Sequence, residues 1–189
     1  MFTSRRILLG VTASRLVFAG LFALSCLAGF RFALLPLALL AEVSDLSDGF
    51  LARRLGLASD LGNVYDGMSD HLARLTEFVS LAYLGLIGMF PVLIFLWRDG
   101  AVITVRLVAG VSHAPFPTTR KSGKLKGIAQ GGCVVWLAAT ASIPSLSGPL
   151  VEGISKVTIF IAILVTAWSG FDYLLAHRQL LFADTPKSL

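Results

Sequence analysis

Charge is scarce in this chain. Asp, Glu, Lys and Arg make up 14% of its 189 residues, against 56% hydrophobic residues, and the mean hydropathy is +0.80. Soluble domains carry about 25% charged residues, so this shortage excludes an ordinary water-soluble fold. Cysteine is scarcer still. Cys26 and Cys133 both fall in long apolar runs, which excludes a disulfide framework and a cysteine metal site and assigns both thiols to packing. Internal repeats, low-complexity tracts and linker-like stretches are also missing, so residues 1–189 are expected to form a single domain.

Apolar length is what the chain has instead. Six stretches can cross a hydrocarbon core of about 30 Å: Ile7 to Phe30, Phe32 to Ala52, Leu61 to Gly85, Met89 to Val111, Lys126 to Leu146 and Val151 to Leu175. The expectation is an all-α polytopic membrane protein with six transmembrane helices. The second, third and fourth stretches carry internal charges, so hydropathy alone scores them poorly. Ser112 to Ser122, with Pro115 and Pro117, reads as a loop, and the uncharged Gly85 to Pro91 as a tight turn. Gly131 and Gly132 permit close helix contact in the fifth stretch.

Basic residues fall unevenly between the connections. Arg5 and Arg6 precede the first span, Arg53 and Arg54 follow the second, Arg120, Lys121, Lys124 and Lys126 lie between the fourth and fifth, and Arg178 and Lys187 follow the sixth. The opposite side has Arg31 and Lys156. The positive-inside rule then makes both termini cytoplasmic. The net charge of +5 reads as topology plus attraction to membrane lipid and phosphate, with no nucleic-acid partner. Ser4 to Arg6 looks like a twin-arginine signal and Cys26 like a lipidation site. Arg15 interrupts the first and Ala23, Leu24 and Ser25 are poor context for the second, so no cleaved signal is expected.

Against this background the run from Asp45 to Asp70 stands out. Asp45 and Asp48 are i,i+3 and Asp66 and Asp70 are i,i+4, so on helices each pair projects from one face. A charge at membrane depth costs about 3 kcal/mol on insertion scales, so four acids there need counter-charges, and divalent cations are the expected ones. All-oxygen ligands favour magnesium, manganese or calcium.

The run spells D-x2-D-G-x2-A-R-x8-G-x3-D-x3-D, filled by Asp45, Asp48, Gly49, Ala52, Arg53, Gly62, Asp66 and Asp70. It resembles the signature of the CDP-alcohol phosphotransferase family, membrane enzymes that move a phosphoryl-bearing group from a CDP-linked donor to an alcohol. The resemblance implies metal ligation by Asp45, Asp48, Asp66 and Asp70, with two Mg2+ or Mn2+ ions. It implies a general-base role for Asp70, and contact with the CDP moiety by Gly49, Ala52, Arg53 and Gly62. Homodimerisation is also implied.

Several residues beyond the signature resemble bacterial phosphatidylglycerophosphate synthases. Trp97, Arg98, Asp99 and Arg106 match one segment of that subfamily. Ser122, Gly123, Lys124, Leu125, Lys126 and Gln130 match another, with a shorter Ser-to-Gly spacing. Val11, Thr12 and Arg15 are similar to its L-T-x-x-R. Arg98 and Arg106 lie about two helical turns apart on one face, and intramembrane arginines mark functional sites. With Lys124 and Lys126 they can bind the phosphate of an acceptor.

The implied reaction joins CDP-diacylglycerol and glycerol 3-phosphate at a bacterial inner membrane. Glycerophosphate-transferring relatives often carry D-P-x-A-D-K at the last two aspartates, where this chain has Asp66, Gly67, Met68, Ser69, Asp70 and His71. Inositol phosphate, inositol, serine and phosphatidylglycerol therefore stay open as acceptors. A divalent-cation carrier is the alternative of a different class, since intramembrane aspartates also mark ion pathways. It leaves Gly49, Ala52, Arg53 and Gly62 unexplained.

Overall fold

Each apolar stretch becomes one helix. In the computed structural model, backbone is described for residues 2–55, 60–111 and 120–178, and side chains for 14–47, 65–111 and 120–178. In chain order the helices are α1 (Phe2–Leu27), α2 (Leu34–Leu55), α3 (Asp60–Tyr83), α4 (Met89–Val111), α5 (Lys121–Ser142) and α6 (Pro149–Ala176), with a short 3-10 turn at Arg31–Ala33. Among the described residues there is no strand.

The helix ends differ from the hydropathy boundaries for local reasons. Gly29 has φ +76° and Gly85 φ +74°, and each closes its helix in the same way. Phe30 N–H donates to Ser25 O at 2.9 Å and Gly29 N–H to Cys26 O at 3.3 Å, while Leu86 N–H donates to Leu81 O and Gly85 N–H to Ala82 O, both at 3.0 Å. This is the Schellman pattern, which satisfies the last carbonyls and needs a left-handed residue. α1 and α3 therefore stop before their apolar runs do. α4 starts inside the turn expected at Gly85 to Pro91, because Pro91 falls in the first helical turn, where its missing N–H costs nothing.

α5 starts at Lys121, five residues ahead of the expected Lys126. The extra turn buries Ser122 and Lys126 and leaves Lys121, Lys124 and Leu125 outside, so its charge is placed by face. The predicted loop is thereby shortened, and residues 112–119 lie outside the described residues.

The helices close a ring: α1 packs on α2 and α3, α2 on α5, α5 on α6, α6 on α4, and α4 on α3. The apolar core fills one end. Phe22, Leu34, Phe78, Leu81, Val134 and Leu137 are fully buried there, and the Phe78 and Phe95 rings meet with centroids 4.5 Å apart. In lipid such contacts hold helices together through close packing. Large apolar side chains, among them Leu24, Trp97, Leu107, Phe160 and Phe171, cover the outside. Among the described residues α6 is the one helix long and apolar enough to cross a membrane on composition alone. Charges on the inner faces of α2, α3, α4 and α5 dilute their hydropathy.

Candidate active site

The other end of the ring is charged. α2 is helical through Asp45 and Asp48, and α3 through Asp66 and Asp70, so the pairs are i,i+3 and i,i+4 on continuous helix. α1 lies against both helices and contributes Arg15. Its guanidinium stands 2.6 Å from the Asp45 carboxylate, 3.4 Å from Asp66 and 3.8 Å from Asp70. Arg15 itself is 3% exposed, so a buried cation gathers three acids from two helices. That gathering offsets the repulsion three carboxylates would otherwise feel. The side chains of Asp48, Gly49, Ala52, Arg53 and Gly62 lie outside the described residues.

The donor set suits a hard divalent ion. Asp45, Asp66 and Asp70 supply only oxygen, and the Asp66 side chain is 56% exposed, so the cluster is open on one side. Among the described residues, no three His, Cys, Asp or Glu side chains meet at metal-holding distance; the acids meet on Arg15 instead. The four-aspartate cage needs Asp48 as well.

Next to the acids lies a second cluster. The Asp99 carboxylate on α4 accepts from Arg98 Nη1 at 2.7 Å and from Lys126 Nζ at 2.9 Å, with His71 Nδ1 at 3.6 Å. Lys126 Nζ also stands 3.9 Å from Asp70, which joins the two clusters. Arg98 leans toward α6, where its Nη2 donates to Ser169 Oγ at 2.7 Å. A Cβ on Gly170 would come within 3.0 Å of Arg98 Cγ, so the glycine makes room for the arginine stem. Arg106 leans instead toward α3. A Cβ on Gly67 would sit 2.6 Å from its Nη1, and the guanidinium acts electrostatically on Asp66. Arg106 and Lys126 thus border the acids, Arg98 joins them through Asp99, and Lys124 stays exposed and makes no described contact with the acids.

A third group lies deeper. Arg74 on α3 pairs with Glu42 of α2 and, at 3.4 Å, with Glu77 of its own helix. Glu77 is 2% exposed and Arg74 6%. A crevice lined by Arg15, Glu42, Asp70, Arg74 and Glu77 connects this group to the acids. Gly131 of α5 admits Glu42, whose Oε2 would lie 2.5 Å from a Cβ there. Sequence reasoning passed over these residues, although Glu42 precedes Asp45 by one helical step and Arg74 and Glu77 are i,i+3. The entry to α5 is also fastened: Arg120 donates twice to the Asp172 carboxylate at 2.7 Å, and Ser122 donates to it as well.

The sequence is similar to that of known proteins along most of its length. The profile of the CDP-alcohol phosphatidyltransferase family matches residues 9–168. A Mycobacterium tuberculosis protein named "Probable phosphatidylglycerophosphate synthase" is 31% identical over 133 residues, which is 70% of this chain and 60% of that protein. The chain thus spans less than two thirds of the mycobacterial relative's length. The CDP-diacylglycerol--glycerol-3-phosphate 3-phosphatidyltransferase of Sodalis glossinidius is 28% identical over 178 residues, 91% of this chain and 94% of that protein. The Bacillus subtilis protein of the same name is 26% identical over 137 residues, 71% and 68% of the two chains. Members of the family are membrane-embedded, act on a CDP-linked donor and an alcohol acceptor, and generally depend on a divalent metal. A match that begins in α1 and runs well into α6 takes in every helix of the bundle, and the chain belongs to the CDP-alcohol phosphatidyltransferase family.

Proposed function

We propose that this protein transfers the phosphatidyl group of CDP-diacylglycerol to the free hydroxyl of glycerol 3-phosphate, forming phosphatidylglycerophosphate and releasing CMP. The observation that carries the reading is the adjacency of a cation group to the acids: Lys126 Nζ is 3.9 Å from Asp70, and Asp99 links it to Arg98. A phosphate on the acceptor gives those cations a partner and brings the hydroxyl toward Asp70. The names of the Sodalis and Bacillus relatives agree with this acceptor.

Asp70 is the general base in this reading. Its carboxylate takes the hydroxyl proton as the acceptor oxygen bonds to the lipid-bearing phosphorus, and the bond from that phosphorus to the CMP oxygen breaks. Asp45, Asp48, Asp66 and Asp70 would hold two divalent ions, Mg2+ or Mn2+. Bound there, the ions supply neutralisation of the pyrophosphate and of the charge that develops on it. Gly49, Ala52, Arg53 and Gly62 receive the CDP moiety, and Arg106, Arg98 and Lys126 the acceptor phosphate, with the exposed Lys124 at the rim. The whole chain acts as one domain of six transmembrane helices with both termini and the acids toward the cytoplasm, as a homodimer in the inner membrane. The basic residues that flank the even-numbered connections support that orientation.

The test is CMP release by purified protein in detergent with CDP-diacylglycerol and magnesium, with and without glycerol 3-phosphate. Release that requires glycerol 3-phosphate is expected. Release with inositol phosphate, inositol, serine or phosphatidylglycerol, but not with glycerol 3-phosphate, overturns the acceptor and keeps the acid site. Metal flux into proteoliposomes without any CMP release overturns the enzyme reading altogether.

A further inference from the structure

Asp99 has no part in the reaction as described, yet it is the anion around which the acceptor side is built. Its side chain is 7% exposed, and it is shared by Arg98 and Lys126 on separate oxygens, Oδ1 and Oδ2, at 2.7 and 2.9 Å. His71 faces the second oxygen at 3.6 Å. Through Arg98 the network reaches Ser169 on α6, so α3, α4, α5 and α6 all converge on one carboxylate. Two buried cations side by side repel one another, and a shared anion lets them stand together. One negative charge against two positive ones still leaves the group attractive to a phosphate.

The distances around Lys126 carry the argument further. Its ammonium is 2.9 Å from Asp99 and 3.9 Å from Asp70, so two carboxylates compete for it and the one outside the acid cage holds it closer. Without Asp99 the ammonium closes on Asp70 and occupies an oxygen that the proton needs. Arg98 would be tethered only by Ser169. Its Nε is buried without a hydrogen-bond partner among the described residues, so the guanidinium has no other hold on the bundle.

We propose that Asp99 is a positioning residue: it fixes Arg98 and Lys126 as paired donors for a small phosphate monoester and holds Lys126 off Asp70. The proposal rests on the acceptor reading above. Its test is therefore binding as well as turnover. Titration calorimetry of the full-length protein in detergent, with sn-glycerol 3-phosphate and separately with inorganic phosphate, is compared with titration of CDP. Asp99→Asn is expected to weaken glycerol 3-phosphate binding at least about thirtyfold, the scale for breaking a buried charge pair, with CDP affinity retained. Asp99→Glu keeps the charge and is expected to recover most of the loss. In turnover, Asp99→Asn raises the acceptor KM while the donor KM holds.

Ser169→Ala removes the other anchor of Arg98 without removing a charge. It is expected to cost about threefold in phosphate affinity, and it remains informative if Asp99→Asn does not fold. Wild-type binding of phosphate that neither Asp99→Asn nor Ser169→Ala weakens overturns this proposal alone, as does equal loss of CDP and phosphate binding in a folded Asp99→Asn. Wild-type protein that binds no phosphate, but releases CMP with an acceptor lacking one, overturns the acceptor reading and this proposal together.

Discussion

The two ends of the helix ring solve opposite problems with the same six helices. At one end Phe22, Leu34, Phe78, Leu81 and Leu137 pack without a charged partner. At the other, the buried Arg15, Arg74, Asp99 and Lys126 and the half-buried Asp45 and Asp70 depend on one another. The apolar end is forgiving in kind, because close packing needs only shape and volume. The charged end is not, since removing a buried cation such as Arg74 leaves buried carboxylates without a partner. Substitutions at the apolar end should therefore act on stability alone, whereas those at the charged end should act on turnover, on stability or on both.

The largest effect should come from Asp70→Asn, which keeps shape and removes the carboxylate proposed as the base. CMP release is expected to fall by about 10²–10⁴-fold, while thermal unfolding followed by circular dichroism stays near that of the parent protein. A comparable loss of stability in this variant would blur the division between the ends. Arg74→Met should come next, because Glu42 and Glu77 then face each other without a cation. We expect about 3–5 kcal/mol of destabilisation, measured by unfolding in mixed micelles, with turnover falling in step.

At the apolar end, Phe78→Ala should cost about 3 kcal/mol through the cavity it opens. Here the prediction is a split: the unfolding midpoint drops, while KM for donor and acceptor is unchanged at temperatures where the protein is folded. A raised acceptor KM would show the two ends to be coupled. Gly131→Ala should have the smallest effect, about 1–3 kcal/mol, as the added methyl meets the Glu42 carboxylate. Pairing it with Glu42→Gln should give a combined effect smaller than the sum, since both act at one contact.

The sequence was readable in proportion to how local its signals are. Apolar length marked all six helices, and i,i+3 and i,i+4 spacing marked the acid pairs. Helix ends were harder, because the caps at Gly29 and Gly85 depend on a backbone turn that hydropathy does not register. The start of α5 was missed because Ser122 and Lys126 face inward, one to Asp172 and the other to Asp99. Partners far apart in the chain were illegible. Arg15 was legible as an interruption of the first apolar run and as part of a resemblance, but nothing near it indicated three acids from α2 and α3. The pair of Arg74 and Glu42 was illegible, since it depends on α2 and α3 coming together, whereas Arg74 and Glu77 are i,i+3 on one helix and went unread. Asp99 was visible beside Arg98, but its hold on Lys126 required α4 and α5 to be brought together.

Arg15 also has a consequence in time. The ribosome delivers α1 before α2 and α3, so the cation is synthesised before any of the acids it holds. Asp45, and later Asp66 and Asp70, each emerge into the neighbourhood of a charge already waiting. Lys126 and its partner on α4 come afterwards. One cation against three carboxylates offsets part of their charge, so the acids gain a counter-charge from α1 before α4 and α5, which carry Asp99 and Lys126, have been made.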